Sequence, residues 1–197
     1  MKYIHCNRIF HAFSLTILIP LLHGCANDAS EVSGPDESPE LLIAAEQGDL
    51  PTLTRLIENE AVVDVKDACL WTPLMKAALN GHLAAARRLI QAGADVNQTD
   101  KGGYSSLMLA ASNDHPDMLG LLLDSGADID QVETTRGWTA LIWAAKLGHK
   151  DSVRRLLRYP VNREITDFNG KRAVDWAREN RFQAIVSLLS NDTRHPE

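Results

Sequence analysis

Trp71-Thr72-Pro73-Leu74-Met75-Lys76-Ala77-Ala78-Leu79-Asn80-Gly81-His82, with Arg88-Leu89-Ile90-Gln91-Ala92-Gly93-Ala94-Asp95-Val96-Asn97 close behind it, decides how this chain folds. Its alanine pair returns along the chain. Ala44-Ala45, Ala77-Ala78, Ala110-Ala111 and Ala144-Ala145 stand 33, 33 and 34 residues apart, and Ala177 follows Ala144 by another 33. Self-similarity at such a period marks a repeat architecture in which each unit is one supersecondary element. Within a unit, Thr72, Ser105 and Thr139 are placed to cap a short helix, and Pro73 falls at the first helical position, where its missing N–H costs nothing. The paired alanines let that helix pack closely, and Gly81 and Gly148 end it. A second helix follows with apolar residues at helical spacing, Leu83, Ala86, Leu89 and Ile90 in one unit and Met118, Leu121 and Leu122 in another. Gly93 and Gly126 close that helix and lead into a polar turn. One unit cannot bury its apolar stripe alone, so the units are expected to stack into an all-α repeat solenoid stabilised mainly by neighbour interfaces.

These segments closely resemble the ankyrin consensus, and Ser105 to Asp130 and Thr139 to Leu157 match it again. The resemblance covers residues 39 to about 190 in five units. It implies helix-turn-helix units joined by short β-hairpins, with hairpin tips and first helices forming a concave recognition surface. Departures from the pattern carry information. The first unit, Leu41 to Val65, has Glu58-Asn59-Glu60 where the glycine turn should be, and the last, Arg172 to Leu189, lacks the Thr-Pro-Leu start; both read as capping units with a wetter outer face. An extra residue falls within Gln131 to Arg136. Pro160 takes the glycine position of the fourth unit, so that turn should depart from the family shape. Met75, Met108 and Ile142 replace the histidine that in this family commonly braces the turn.

The N-terminal segment, residues 1–24, reads as an address. Lys2 and Arg8 lead into a mostly apolar run from Ile9 to Leu22, whose 14 residues suit a secretory h-region and fall short of a bilayer span. It ends in Leu22-His23-Gly24-Cys25, which resembles a bacterial lipobox, with His23 departing from the usual small or apolar residue. That resemblance implies acylation of Cys25 and a durable membrane anchor; the alternative is an ordinary signal peptide cut near Gly24 or Ala26. Ala26 after the cysteine favours sorting to the outer membrane of a Gram-negative cell, so a lipid-anchored domain facing the periplasm of the bacterial envelope is expected. Residues 25–38 are acidic and nearly free of apolar side chains, the composition of a disordered tether. Residues 39–190 form the repeat domain and 191–197 a polar tail.

The formal charge is −6, and without residues 1–24 the chain keeps 18 basic against 26 acidic residues, a balance that argues against nucleic acid. Of Cys6, Cys25 and Cys69, only Cys69 would remain in the folded part after cleavage and acylation, which leaves no intrachain disulfide framework. Cys69 is expected at a hairpin tip, either as an exposed thiol able to pair between molecules or as a half-buried, unreactive one. His82, His115 and His149 recur with the unit; successive units lie roughly 8–10 Å apart, too far to share an ion, so each is read as serving the start of its second helix. Asp95 and Asp128 likewise mark a repeated turn rather than an acid/base pair. No nucleophile elbow, phosphate loop or zinc-protease motif occurs. No catalytic residue, metal, cofactor or small-molecule substrate is expected.

Trp71, Tyr104 and Trp138 precede the helix cap in three successive units, which aligns them as an aromatic row. They are either interface anchors or packing between hairpins. Positions expected to flank the row are Lys101, Arg136, Phe168 and Lys171 on the hairpins, with Asn80, Asn113, Lys146 and Leu147 at the ends of first helices. A mixed aromatic and basic strip on an acidic protein suits a folded partner with an acidic patch. The resulting expectation is a non-catalytic envelope lipoprotein that scaffolds, protects or inhibits one protein partner. One alternative is an immunity protein neutralising a secreted membrane-attacking lipase toxin; another is an exported effector binding host proteins.

Overall fold

The computed structural model describes residues 39–190. The expected leader, the lipidation site Cys25, the tether and the polar tail with His195 lie outside the described residues. Within them ten helices follow in pairs: α1 (Pro39–Gln47) and α2 (Leu50–Glu58), α3 (Pro73–Leu79) and α4 (Leu83–Gln91), α5 (Ser106–Ser112) and α6 (Pro116–Asp124), α7 (Ala140–Leu147) and α8 (Lys150–Leu156), α9 (Ala173–Glu179) and α10 (Gln183–Ser190). The first helices of the pairs stack on one another, and the second helices form a parallel layer behind them. The alanine pairs lie between, fully enclosed, with Leu74, Met75, Leu107, Met108, Leu141 and Ile142 as the larger core side chains. This is the expected all-α repeat fold.

Capping follows the residue chemistry. Thr72 Oγ1 accepts from Met75 N at 3.3 Å, Ser105 Oγ from Met108 N at 3.4 Å and Thr139 Oγ1 from Ile142 N at 3.3 Å. All three caps are buried, where water cannot replace them. In the last unit Arg172 stands at the cap, and Asp175 reaches back to accept from its backbone N–H at 3.1 Å. Pro160 acts as expected: α8 closes two residues early, and Val161 N bonds to Tyr159 O at 2.7 Å in place of the wider closures that Ala94 N and Ala127 N make in the regular units.

First helices end in a left-handed residue in every unit, not only at the two expected glycines: Gly48, Gly81, Asp114, Gly148 and Arg181 have φ of 69°, 71°, 54°, 82° and 60°. The reason for glycine is the next unit. A Cβ at Gly48 would come within 2.6 Å of the His82 ring, one at Gly81 within 2.7 Å of His115, and one at Gly148 within 2.7 Å of Phe182. Each histidine therefore lies against its neighbour's turn, and its Nε2 meets a carbonyl of the preceding unit: His82 with Glu46 O at 3.0 Å, His115 with Leu79 O and His149 with Ser112 O, both at 3.1 Å. Phe182 has no such nitrogen. In its unit Asn180 Nδ2 donates to the corresponding carbonyl, Lys146 O, at 3.1 Å.

A second ladder links the polar turns, where Asp95 N donates to Asp64, Asp128 N to Asn97 and Asn162 N to Asp130. A third links the hairpins through backbone: Lys101 N to Cys69 O, Thr134 N to Gly102 O and Phe168 N to Arg136 O. The missing family histidine is replaced inside each hairpin by a carboxylate. Asp67 Oδ1 accepts from Cys69 N and Trp71 N, Asp100 Oδ1 from Gly102 N and Tyr104 N, and Asp167 Oδ1 from Asn169 N and Lys171 N. Met75, Met108 and Ile142 are left to fill the core.

The extra residue of the third connection lies between Glu133 and Trp138, and the acid there is longer by one methylene. Glu133 is fully buried. Its Oε2 accepts from Thr135 N at 2.5 Å, and its Oε1 accepts from Arg136 N at 2.7 Å and Trp138 N at 3.2 Å. Glu133→Asp should therefore lower stability by about 1–2 kcal/mol, because a shorter acid leaves the buried Trp138 N–H and the part-buried donors of Thr135 and Arg136 less well met. Deleting Thr135 in the same chain should recover at least half of that loss. Urea denaturation of the two variants checks this; a double change worse than the single one would disprove the matching of acid length to loop length.

Candidate functional site

The aromatic row turns inward. Trp71 and Trp138 are only 8% and 5% exposed, and Tyr104 is half-buried. Their polar tips reach into the next hairpin: Trp138 Nε1 donates to Asp167 Oδ2 at 3.0 Å, and Tyr104 OH meets Thr135 Oγ1 at 3.3 Å, which in turn contacts the Glu133 carboxylate. Two further indoles join them. Trp143 packs edge-on against Trp138 at 4.5 Å and lies 6.0 Å from Tyr104, and Trp176 packs edge-on against Trp138 at 5.6 Å. Sequence reasoning passed over both, although they stand 33 residues apart at the first-helix position that Lys76 and Leu109 hold in earlier units. The period itself was the signal.

Cations line the surface of this cluster. Lys146 Nζ lies 3.7 Å from the Trp176 ring centre and 5.1 Å from that of Trp138. Lys171 Nζ is 4.3 Å above Trp176, and the Arg136 guanidinium 4.8 Å above Trp138. Phe168, 68% exposed, lies alongside: its ring faces Gly137, where a Cβ would come within 2.7 Å of it. The fold thus brings Arg136, Trp138, Lys146, Phe168 and Lys171 together across the last two units. Lys101 is exposed on an earlier hairpin, and Leu147 packs against the core. Asn80 and Asn113 are exposed at helix ends, with each Nδ2 donating to its own helix at 2.9 Å.

Beneath the cations lies Asp167, 4% exposed. Burial alone would raise its pKa, but the N–H groups of Lys171, Trp138, Asn169 and Trp176 together hold it below the ordinary carboxylate value. Lys146 shifts downward, first because it is partly buried and then because Lys171 and Arg136 stand near, against the pull of Glu179.

Other clusters resolve into structure. Asp114, Ser152 and His149 hold the residue types of a hydrolase triad, but the Ser152 hydroxyl donates to Asp114 at 2.7 Å and the His149 Nε2 is engaged at Ser112 O. With Ser152 fully buried, no nucleophile faces a base. At the C-terminal end, Arg172 pairs with Glu164 at 2.9 Å and Asp175 at 3.1 Å, and Arg178 with Asp175 at 3.1 Å. Cys69 is half-buried, and the other two cysteines lie outside the described residues.

A family model of ankyrin repeats in three copies matches residues 41–133 and again 128–196. No curated protein matches the chain.

Because the folded-state pKa of Asp167 is depressed, the stability it contributes is present above the ordinary carboxylate value and is lost as pH falls through the depressed one. Asp167→Asn should cost about 2 kcal/mol at neutral pH, where it leaves charge-assisted donors with a weaker acceptor. The gap to the parent protein should narrow on acidification to about pH 3. Chemical denaturation at the two pH values measures it, and an unchanged gap would show that the charge contributes nothing.

Proposed function

The chain belongs to the ankyrin-repeat family, and from that premise we propose that it is a non-catalytic envelope protein holding one protein partner on the face formed by its hairpins and first helices. The observation that carries this reading is the fixed state of that face. The indoles are locked inward by Asp167 and by each other, and Arg136, Lys146 and Lys171 are laid over them in set positions. Side chains already ordered before binding lose less entropy on association, so such a face favours a defined partner. The domain's burial of its own aromatic row leaves recognition to the rim of cations, asparagines and Phe168.

The address rests on Leu22-His23-Gly24-Cys25 and the acidic stretch behind it. We infer acylation of Cys25 and a periplasm-facing position on the outer membrane, with scaffolding or protection of an envelope enzyme as the role. The cysteines constrain this reading. An intrachain disulfide at Cys69 needs Cys6 or Cys25, and cleavage before Cys25 with acylation of its sulfur removes both. Acylation and that disulfide therefore exclude one another.

Intact mass of the protein extracted from bacterial membranes should show a chain beginning at Cys25 with added acyl mass. A chain whose Cys25 is held in a disulfide would overturn the anchor. Affinity capture by the full chain from envelope extracts should yield one partner that Lys101→Glu with Phe168→Ala releases and that Arg87→Glu, on the opposite layer, retains. An envelope enzyme in that position supports the scaffold reading, a lipase toxin would replace it with inhibition, and capture unaffected by the first pair would move binding off this face.

A further inference from the structure

We infer that the last two units carry a discrete acidic-segment site, in which carboxylates of a partner protein dock between Arg136 and Lys146 while an apolar side chain lies on Phe168. The inference rests on the protein-binding reading above and assigns the chemistry recognised by one part of that face.

The cations on the aromatic rings differ in their direct partners from one unit to another. Three cations converge on Trp138 and Trp176, and Lys171 is the one among them that is paired, with Glu179. Among the described residues, neither Arg136 nor Lys146 has a carboxylate oxygen within 4.0 Å. Asp167 lies below them, but its oxygens already accept from two backbone N–H groups and two indoles. The second unit provides the contrast. There Lys76 lies 5.1 Å from the Trp71 ring centre, yet Glu46 at 3.6 Å and Asp67 at 3.8 Å neutralise it within the protein. Cations stacked on aromatic rings are thus in direct contact with carboxylates in one part of the array, while Arg136 and Lys146 in another keep an outer side that no carboxylate of the described residues touches.

Ring faces hold the cations in place and exclude water from one side of each. The opposite side is where a carboxylate fits, and it would also relieve the repulsion among Arg136, Lys146 and Lys171. Phe168 supplies the apolar contact beside them, 68% exposed. A protein segment is the occupant that the protein-binding reading supplies, since it can bring a carboxylate to the cations and an apolar side chain to Phe168 within one short stretch.

The test titrates the full chain, labelled at its indole nitrogens, with the peptide Glu-Glu-Leu-Glu-Glu and separately with Gln-Gln-Leu-Gln-Gln. The acidic peptide should move the Nε1–H resonances of Trp138 and Trp176 and leave that of Trp71 in place, and the glutamine peptide should move none. Arg136→Gln with Lys146→Gln should weaken the acidic peptide by about tenfold, and Arg87→Gln should not alter it. An unmoved Trp71 resonance confirms that the double variant is folded. Equal effects of the two peptides, unchanged affinity in the double variant, or the same shifts produced by phosphatidylglycerol vesicles and not by the peptide would each overturn the site. A partner that is captured through Lys101 and Phe168 while the acidic peptide fails would sink this inference alone. Absence of any captured partner would instead sink the wider reading.

Discussion

The lodging of each unit's ring against the left-handed turn of the unit before it sets the spacing of the whole array. A Cβ at Gly48 or Gly81 would intrude on the histidine ring by several tenths of an ångström, so the turn residue, the ring and the interval between units are one constraint. With that interval fixed, Nε2 reaches a carbonyl, the polar turns fall within hydrogen-bonding distance of one another, and the hairpins align through backbone groups. Buried polar atoms in a structure of this kind have few alternatives to such partners. The apolar core supplies the driving force, and the ladders make it unique by allowing one register.

That constraint explains which parts of the fold were legible in the sequence. The period, the buried Thr and Ser caps and the short turn at Pro160 follow from residues whose side chains act on their own unit. His82, His115 and His149, read as serving their own second helices, make no side-chain cap bond there and bridge to the preceding unit instead. Asp114 and Arg181 were not legible as turn residues, because a left-handed conformation at a non-glycine is imposed by neighbours rather than by preference. The hairpin carboxylates were missed for a related reason. Asp67, Asp100 and Asp167 look like ordinary turn acids until the backbone N–H groups around them are seen to lack any other acceptor.

The aromatic row was legible as an alignment and not as a direction. Aligning Trp71, Tyr104 and Trp138 from their spacing was sound, but spacing cannot say which side of a hairpin a ring takes. The side is decided by the next hairpin's acid, which draws the indole N–H of Trp138 inward, and by Trp143, which completes the packing. What reaches the surface is the second layer of the same motif, the cations laid over the rings. The repeat puts Arg136, Lys146, Phe168 and Lys171 among the positions that flank the row; the meeting of Lys146 and Lys171 on Trp176 required the packing of two units. Burial of the aromatic row and presentation of the charges are thus two results of a single arrangement.

The turn at Arg181 has a bearing on how copies of the molecule meet. Every internal interface joins a ring on one unit to a small or accommodating turn on its neighbour, and the last turn, at φ 60°, carries an exposed arginine instead. The first unit is mismatched in the complementary way, since Asp49 stands where the ring belongs and caps its own helix through Thr52 N at 3.2 Å. A repeat stack is by nature a head-to-tail surface, and head-to-tail contacts that do not close into a ring propagate as filaments. Among the described residues, neither end of the stack carries the ring-and-turn pair through which its internal units meet, so a head-to-tail contact between copies would need a different joint.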